Sequence, residues 1–341
     1  MSQTSPTPAM KVLLDGVDIT DRVAPRLLSL TLTEARGDEA DQLDLVLDDA
    51  DGKMAIPKRG AELVVSIGWK GSPLVGKGKF KVDEAEHSGP ADIITLRARS
   101  ADFTADLRLR REKSWTGTTL GQVLADIAGR HGLTLKVSDD LAGQALPILA
   151  QSRESDLQVL KKLGKRFDAV ATIKSGVLVF APIGAGKTAS GKALANFALK
   201  RSDGDGHTWK VADRDGAYTG VTASWRSTSG ATRHSERAGK TGKVRHLRQV
   251  YATQADAKRA AAAEWGRVQR GGATLSLNLA LGRPDLFPER QGTVTGFGKP
   301  EIDKATWLIA KATHTLSDRG LVTALELETS IGTTASNTAS G

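Results

Sequence analysis

Hydrophobic and polar positions alternate along most of the first hundred residues. Lys11 to Leu14 run into the turn pair Asp15-Gly16, and Leu28 to Thr33 and Leu43 to Leu47 keep a period of two. Leu63 to Trp69, Gly78 to Ala85 and Ile93 to Arg99 follow in the same way. Such alternation predicts strands with one buried face, and so many short strands suit a small closed barrel or a sandwich. Asp48 to Gly52 (DDADG) marks a turn. As a calcium loop it fails, because aligning Gly52 with the loop glycine puts Leu47 at the first ligand and Lys58 at the last. Strand-and-turn patterning returns from Thr274 to Thr329.

Between these stretches the period changes. Within Ser114 to Val137, Thr118 or Thr119 can cap a helix whose apolar stripe is Leu120, Val123, Leu124 and Ile127, with Gly132 ending it. The segment TLKV then reads as a strand. A second helix starts at Ser152 or Ser155, and Ser155 with Gln158 makes a capping-box pair. Leu157, Leu160, Gly164 and Phe167 predict its core stripe, while Lys161, Lys162 and Lys165 go to water. After Asp168 the run AVATI, the turn Ser175-Gly176 and the run VLVF predict a hairpin. Tyr218 to Arg226 reads as another strand, and Thr253 to Arg270 as an alanine-rich helix ended by Gly271-Gly272. The fold class expected is α+β and β-rich, with a small α/β region from about Lys113 to Phe180.

Directly after VLVF the chain reads Gly184 to Thr188, GAGKT, where a phosphate-binding loop would sit. The full motif needs a glycine five residues before Gly186, so that backbone N–H groups wrap the phosphates. That position is Ala181, and Pro182 beside it has no N–H. The following ASGKALANFALKRSDGDG carries Gly191 where the first helical turns should be and then alternates as a short strand would. A Gly/Ser-rich connector is expected instead.

Composition narrows the chemistry. The 341 residues suit about two domains, or several small ones, and 39% hydrophobic residues support ordinary cores. With no cysteine, disulfides, thiolate catalysis and cysteine zinc sites are all excluded. The six histidines (His87, His131, His207, His234, His246 and His314) never fall at the i, i+4 spacing of a helical metal site. No apolar run reaches about 18 residues, and MSQTSPTPAM lacks the basic and apolar regions of a signal peptide. The expectation is a protein made in the cytosol without stable membrane insertion.

A formal charge of +9 raises the question of nucleic acid. Much of it is local: Arg233, Arg237, Lys240, Lys243, Arg245 and Arg248 lie in a Gly/Ser/Thr-rich segment from Ser227 to Gln249. It reads as a flexible basic loop without the interleaved aromatics that stack bases.

Two hairpins look alike: Lys79 to Ser100 and Thr306 to Ser330 each run through a histidine, His87 or His314, into a Gly-containing turn and back. With LLSLTLTEARGDEADQLDLVLDD, QSRESDLQVLKKLGKRFDAVATIKSGVLVFAPIGAGKTASGK, RDGAYTGVTASW, ATLSLNLALGRPDLFP and GTVTGF, the chain resembles the phage late control protein D family over roughly Met10 to Ser330. These are the tail hub proteins of contractile-tailed phages and related injection machines. The resemblance implies a virion structural protein with two tail-tube-like β-barrel domains and an α/β region between them. It also implies a homotrimer joining a six-fold tail tube to a three-fold central spike, touching other baseplate proteins and a tape-measure protein, assembled in the host cytoplasm and resident in the virion tail. No catalytic, cofactor-binding or metal-binding residue is expected, and no specific nucleic acid. The organisation expected is a flexible leader over residues 1–9, a first barrel over 10–105 and an α/β middle region with connector over 106–213. A second barrel over 214–330 would hold a basic loop at 227–249 and a helix at 253–270, and 331–341 would form a flexible tail. Two other classes stay open on the residues alone: a P-loop enzyme using Gly184 to Thr188, and a basic nucleic-acid-binding protein.

Overall fold

A computed structural model describes residues 6–37, 40–100, 105–174, 176–211, 218–227 and 232–330. Most of the leader, Ser175, Arg214 to Ala217 and the tail lie outside them.

The first part holds β1 (Pro8–Leu14), β2 (Val17–Asp18), β3 (Leu27–Ala35), β4 (Gln42–Asp48), β5 (Glu62–Trp69), β6 (Val75–Ser88) and β7 (Ile93–Ser100). The leader is shorter than expected, since Pro8 and Ala9 already pair with Trp69 and Gly68. The middle part runs β8 (Arg110–Thr119), helix α1 (Leu120–Arg130), β9 (Thr134–Val137), β10 (Ala145–Ser155), helix α2 (Asp156–Phe167), β11 (Ala169–Lys174) and β12 (Val177–Pro182). Then come β13 (Phe197–Lys200), β14 (Gly204–Val211), β15 (Gly220–Arg226), β16 (Arg233–Gly239), β17 (Val244–Tyr251) and helix α3 (Gln254–Arg270). The chain closes with β18 (Ala273–Leu279), β19 (Gln291–Thr295), β20 (Thr306–Ser317) and β21 (Gly320–Thr329).

One sheet runs through both β-rich parts. Its order is β14-β18-β21-β20-β3-β4-β7-β6-β5-β1-β2, with β19 on β20 and β13 on β19. At Ala310 the register of β20 shifts: Trp307 and Leu308 pair with β19, whereas Lys311 to Ser317 pair with Ala35 to Ser29 of β3. The hairpin β20/β21 therefore serves two cores. Trp307, Ile309, Leu325 and Leu327 lie in the second, with Phe197, Leu275 and Val294. Leu316 and Leu321, at the hairpin tip, lie in the first, with Leu30, Leu45, Ile67 and Phe80. The sequence opened the second β-rich part at residue 214, yet Phe197 and Leu199 of β13 are buried in its core.

The first part of this sheet is curled. Lys77 of β6 contacts Glu34 of β3 and His314 of β20, although β6 lies three strands from β3 along the sheet. Flat strands that far apart would stand about 14 Å off, beyond a lysine's reach. The pairing explains how Lys77 points inward, because Val65 pairs with Gly78 and Ser66 with Gly76, leaving Lys77 as the extra residue of a β-bulge.

The middle part has its own core. Thr119 caps α1 and Ser155 caps α2, each in a complete capping box, with Gln122 and Gln158. The stripe of α2 is rotated from expectation: Val159 and Leu163 are buried with Leu160, Gly164 and Phe167, while Leu157 is only half-buried. A Cβ at Gly164 would sit 2.9 Å from the Ala169 carbonyl oxygen, so this crossing of helix and hairpin requires glycine. Sequence patterning missed the ribbon β8/β10, whose Pro147 and exposed Ile148 break the alternation.

The basic segment expected as a flexible loop instead forms β16 and β17, which flank β15 in a three-stranded sheet covered by α3. Its polar residues hid it, since most of its side chains are exposed on both faces and no apolar period of two survives. Residues 228–231 of that segment lie outside the described ones.

Candidate functional site: a charged junction and two open strand edges

The bulge that turns Lys77 inward builds a buried cluster. Lys77 Nζ donates to Glu34 Oε2 at 2.6 Å and stands 3.1 Å from His314 Nε2. His314 is fully buried. Its Nδ1 lies 2.9 Å from Thr323 Oγ1, and its Nε2 also stands 3.4 Å from Glu34 Oε2. Lys174 of β11 reaches in from the middle part, 2.9 Å from Asp41 Oδ2 and 3.8 Å from Glu34 Oε1. Burial alone would raise the Glu34 carboxyl, but the His314 contact and the charges of Lys77 and Lys174 outweigh it and hold its pKa at about 2. Burial pushes His314 below its usual range, with the Lys77 charge adding to that and Glu34 opposing it.

A second chain of charges crosses every part of the molecule. Asp168, the left-handed C-cap of α2, accepts from Arg270 Nη1 at 2.8 Å. Arg270 Nε stands 3.3 Å from Glu328 Oε1 on β21, which also accepts from Arg36 Nη1 at 2.6 Å. Arg36 in turn bonds to Glu289, and Glu289 Oε2 accepts the Gly184 N–H at 2.8 Å. Middle region, α3, both β-rich parts and connector are thus tied through alternating charges. Removing one member would strand a buried charge.

This wiring disposes of the phosphate-loop geometry. The Gly184 N–H already points at a carboxylate, and Gln291 Nε2 donates to the Gly184 carbonyl. After Thr188 no helix follows. The Leu194 N–H returns to the Gly186 carbonyl at 2.8 Å and that of Thr188 to the Lys192 carbonyl at 2.8 Å, a tight back-folded turn with Lys187 exposed. A phosphate loop needs free amides leading into a helix N-terminus, whereas here the Gly184 and Thr188 amides are already bonded and no helix follows.

His87 and His314, alike in sequence, are not equivalent. The His87 side chain is 41% exposed, with Asp49 at 3.5 Å, while His314 is walled in by Lys77, Glu34 and Thr323. The junction residues escaped the sequence reading, although one signal was available: Glu34 is in phase with Leu30 and Leu32, hence on the buried face of its strand.

Among the described strands that keep a free edge, two combine it with exposed apolar side chains. β14 pairs only with β18, and its Trp209 and Val211, opposite Leu275 and Ala273, continue the core face into solvent. β17 pairs only with β15.

Comparison with known proteins yields a consistent set. A family model described as phage tail baseplate hub (GPD) matches residues 29–320. A probable baseplate hub protein of Escherichia phage 186 is 44% identical, the match covering 95% of this chain and 94% of that one. Among solved structures, the tail protein from Neisseria meningitidis MC58 superposes with a TM-score of 0.71 at 14% identity, covering 94% of this chain and 96% of the other. The E. coli c3393 protein, a component of the type VI secretion system with structural similarity to the T4 tail proteins gp27 and gp5, gives 0.54 at 15% identity, covering 89% and 73%.

Proposed function

The chain belongs to the phage tail baseplate hub family, and from that premise we propose that it works as a homotrimeric adaptor between a tail tube and a central spike. It is a structural protein of the tail baseplate and not an enzyme. The observation that carries the adaptor reading is the shared hairpin: β20/β21 serves two cores, so one chain holds two β-rich halves in a fixed relation. Three copies would then present six such halves in a ring, nearly six-fold on one face and three-fold on the other, which is what joining a six-fold tube to a three-fold spike demands. The halves are taken as a first barrel starting at Pro8 and a second starting at Phe197, with the middle region and connector between them.

The open edge of β14 suits the seam between copies, because its exposed core face needs a cover and an uncovered edge invites uncontrolled pairing. A permanent seam of this kind buries upwards of about 2,000 Å². Assembly takes place in the host cytoplasm, with the spike and tube proteins as partners. The test is the purified complex of co-expressed hub and spike, whose mass by light scattering should give three hub chains per spike trimer. One hub chain per spike trimer would overturn the adaptor mechanism.

A further inference from the structure

A cleft of about 730 Å³ separates the middle region from the inserted sheet. One wall is β17 with the residue that follows it, contributing Arg245 and every residue from Leu247 to Ala252; the other is Pro147 to Leu149 of β10, and Leu163, Ala260 and Ala263 lie between them. β17 leaves register with β15 between His246 and Val250, so Leu247 to Gln249 line the cleft as consecutive residues, and the outer edge of β17 has no partner strand among the described residues. Ile148 is 69% exposed and Val250 46%, both facing the cleft. Its carboxylates are already matched: Asp256 by Arg166 and Arg259, Glu264 by Arg267 and Arg245. Arg248 and Lys165 make no ion pair with a described carboxylate, so the uncompensated charge of the cleft is positive.

We propose that this cleft binds an extended segment of another protein, which adds as a strand along β17 with apolar residues on Ile148, Leu247 and Val250 and acidic residues facing Arg248 and Lys165. Strand addition gives such a site its affinity through main-chain hydrogen bonds, and alternate side chains give it specificity. A second copy's free edge β14 offers one carboxylate, Asp205, against one ammonium, Lys210, and so no acidic excess to match the cleft. Duplex DNA fits less well than an acidic peptide, because the floor is leucine and alanine. The inference goes beyond the adaptor reading and concerns a single chain, so it stands or falls independently of the stoichiometry with the spike.

The full-length protein is titrated by fluorescence anisotropy with a labelled nonapeptide alternating glutamate and valine, and with a counterpart alternating lysine and valine. The glutamate peptide is expected to bind at least about tenfold tighter. Arg248→Glu should reverse that preference and Ile148→Asp weaken binding about tenfold, both sites being on the surface. Arg233→Glu, on the far strand of the same sheet, should change nothing, and bound peptide should slow amide exchange across Val244 to Tyr251. Equal affinity for the two peptides, or equal loss in Arg233→Glu, would reduce the effect to diffuse charge and overturn the proposal. So would displacement of the peptide by a DNA duplex, or a concentration-dependent dimer abolished by Ile148→Asp in the absence of peptide binding.

Discussion

Glu34 has a folded pKa of about 2 against an ordinary 4.5. A depressed carboxyl contributes its stability in full above the ordinary value and loses it as pH falls toward the folded one. Glu34→Gln would leave Lys77 buried without its counter-charge, and we expect a loss of roughly 3–5 kcal/mol at pH 7 in denaturant melts. The deficit should narrow as pH drops from 4.5 toward about 2, where wild-type Glu34 is protonated too. A constant deficit across that range would mean that the lost contact is not ionic. On α2, Leu160→Ala should cost about 2–5 kcal/mol and Lys161→Ala close to nothing, since Leu160 is buried and Lys161 exposed. Equal effects would refute the helix register. Residue-level reading succeeded where burial follows from local phase, as at Leu160 and Phe167. It was silent on His314, whose partner Lys77 is turned inward by a β-bulge more than two hundred residues away.

Elements were legible where the local code was strong. The capping residues Thr119, Ser155 and Thr253 open α1, α2 and α3, and the strands of the first part appear where alternation put them. β16 and β17 were illegible because their partners, β15 and α3, bury so little of them. The connector after β12 was read correctly from Ala181 and Pro182, and the structure adds the cause: the carboxylate of Glu289 occupies the Gly184 amide that a phosphate would need. Purified protein should therefore show no ATP turnover above that of Lys187→Ala in a phosphate-release assay. Any excess over that variant would contradict the observed wiring.

Across the whole molecule, the expectation of two β-rich parts around an α/β region was readable, but not that one sheet would run through both. The joining pair, β3 with β20, links residues some 280 positions apart, and no local pattern announces so distant a partner. Leu321 is fully buried at the hairpin tip in the core of the first part. Leu321→Ala should cost about 2–5 kcal/mol and speed amide exchange in β5 while sparing α1. Unchanged exchange in β5 would show that the hairpin tip does not support the first core. The same tip has a consequence in time. Chains emerge from the ribosome N-terminus first, so Leu30, Ile67 and Phe80 are made long before the residues that complete their core. A chain released short of Leu321 leaves that core open, with apolar surface for chaperones and proteases to seize. The core that is begun first is therefore closed only once Leu316 and Leu321 have been made.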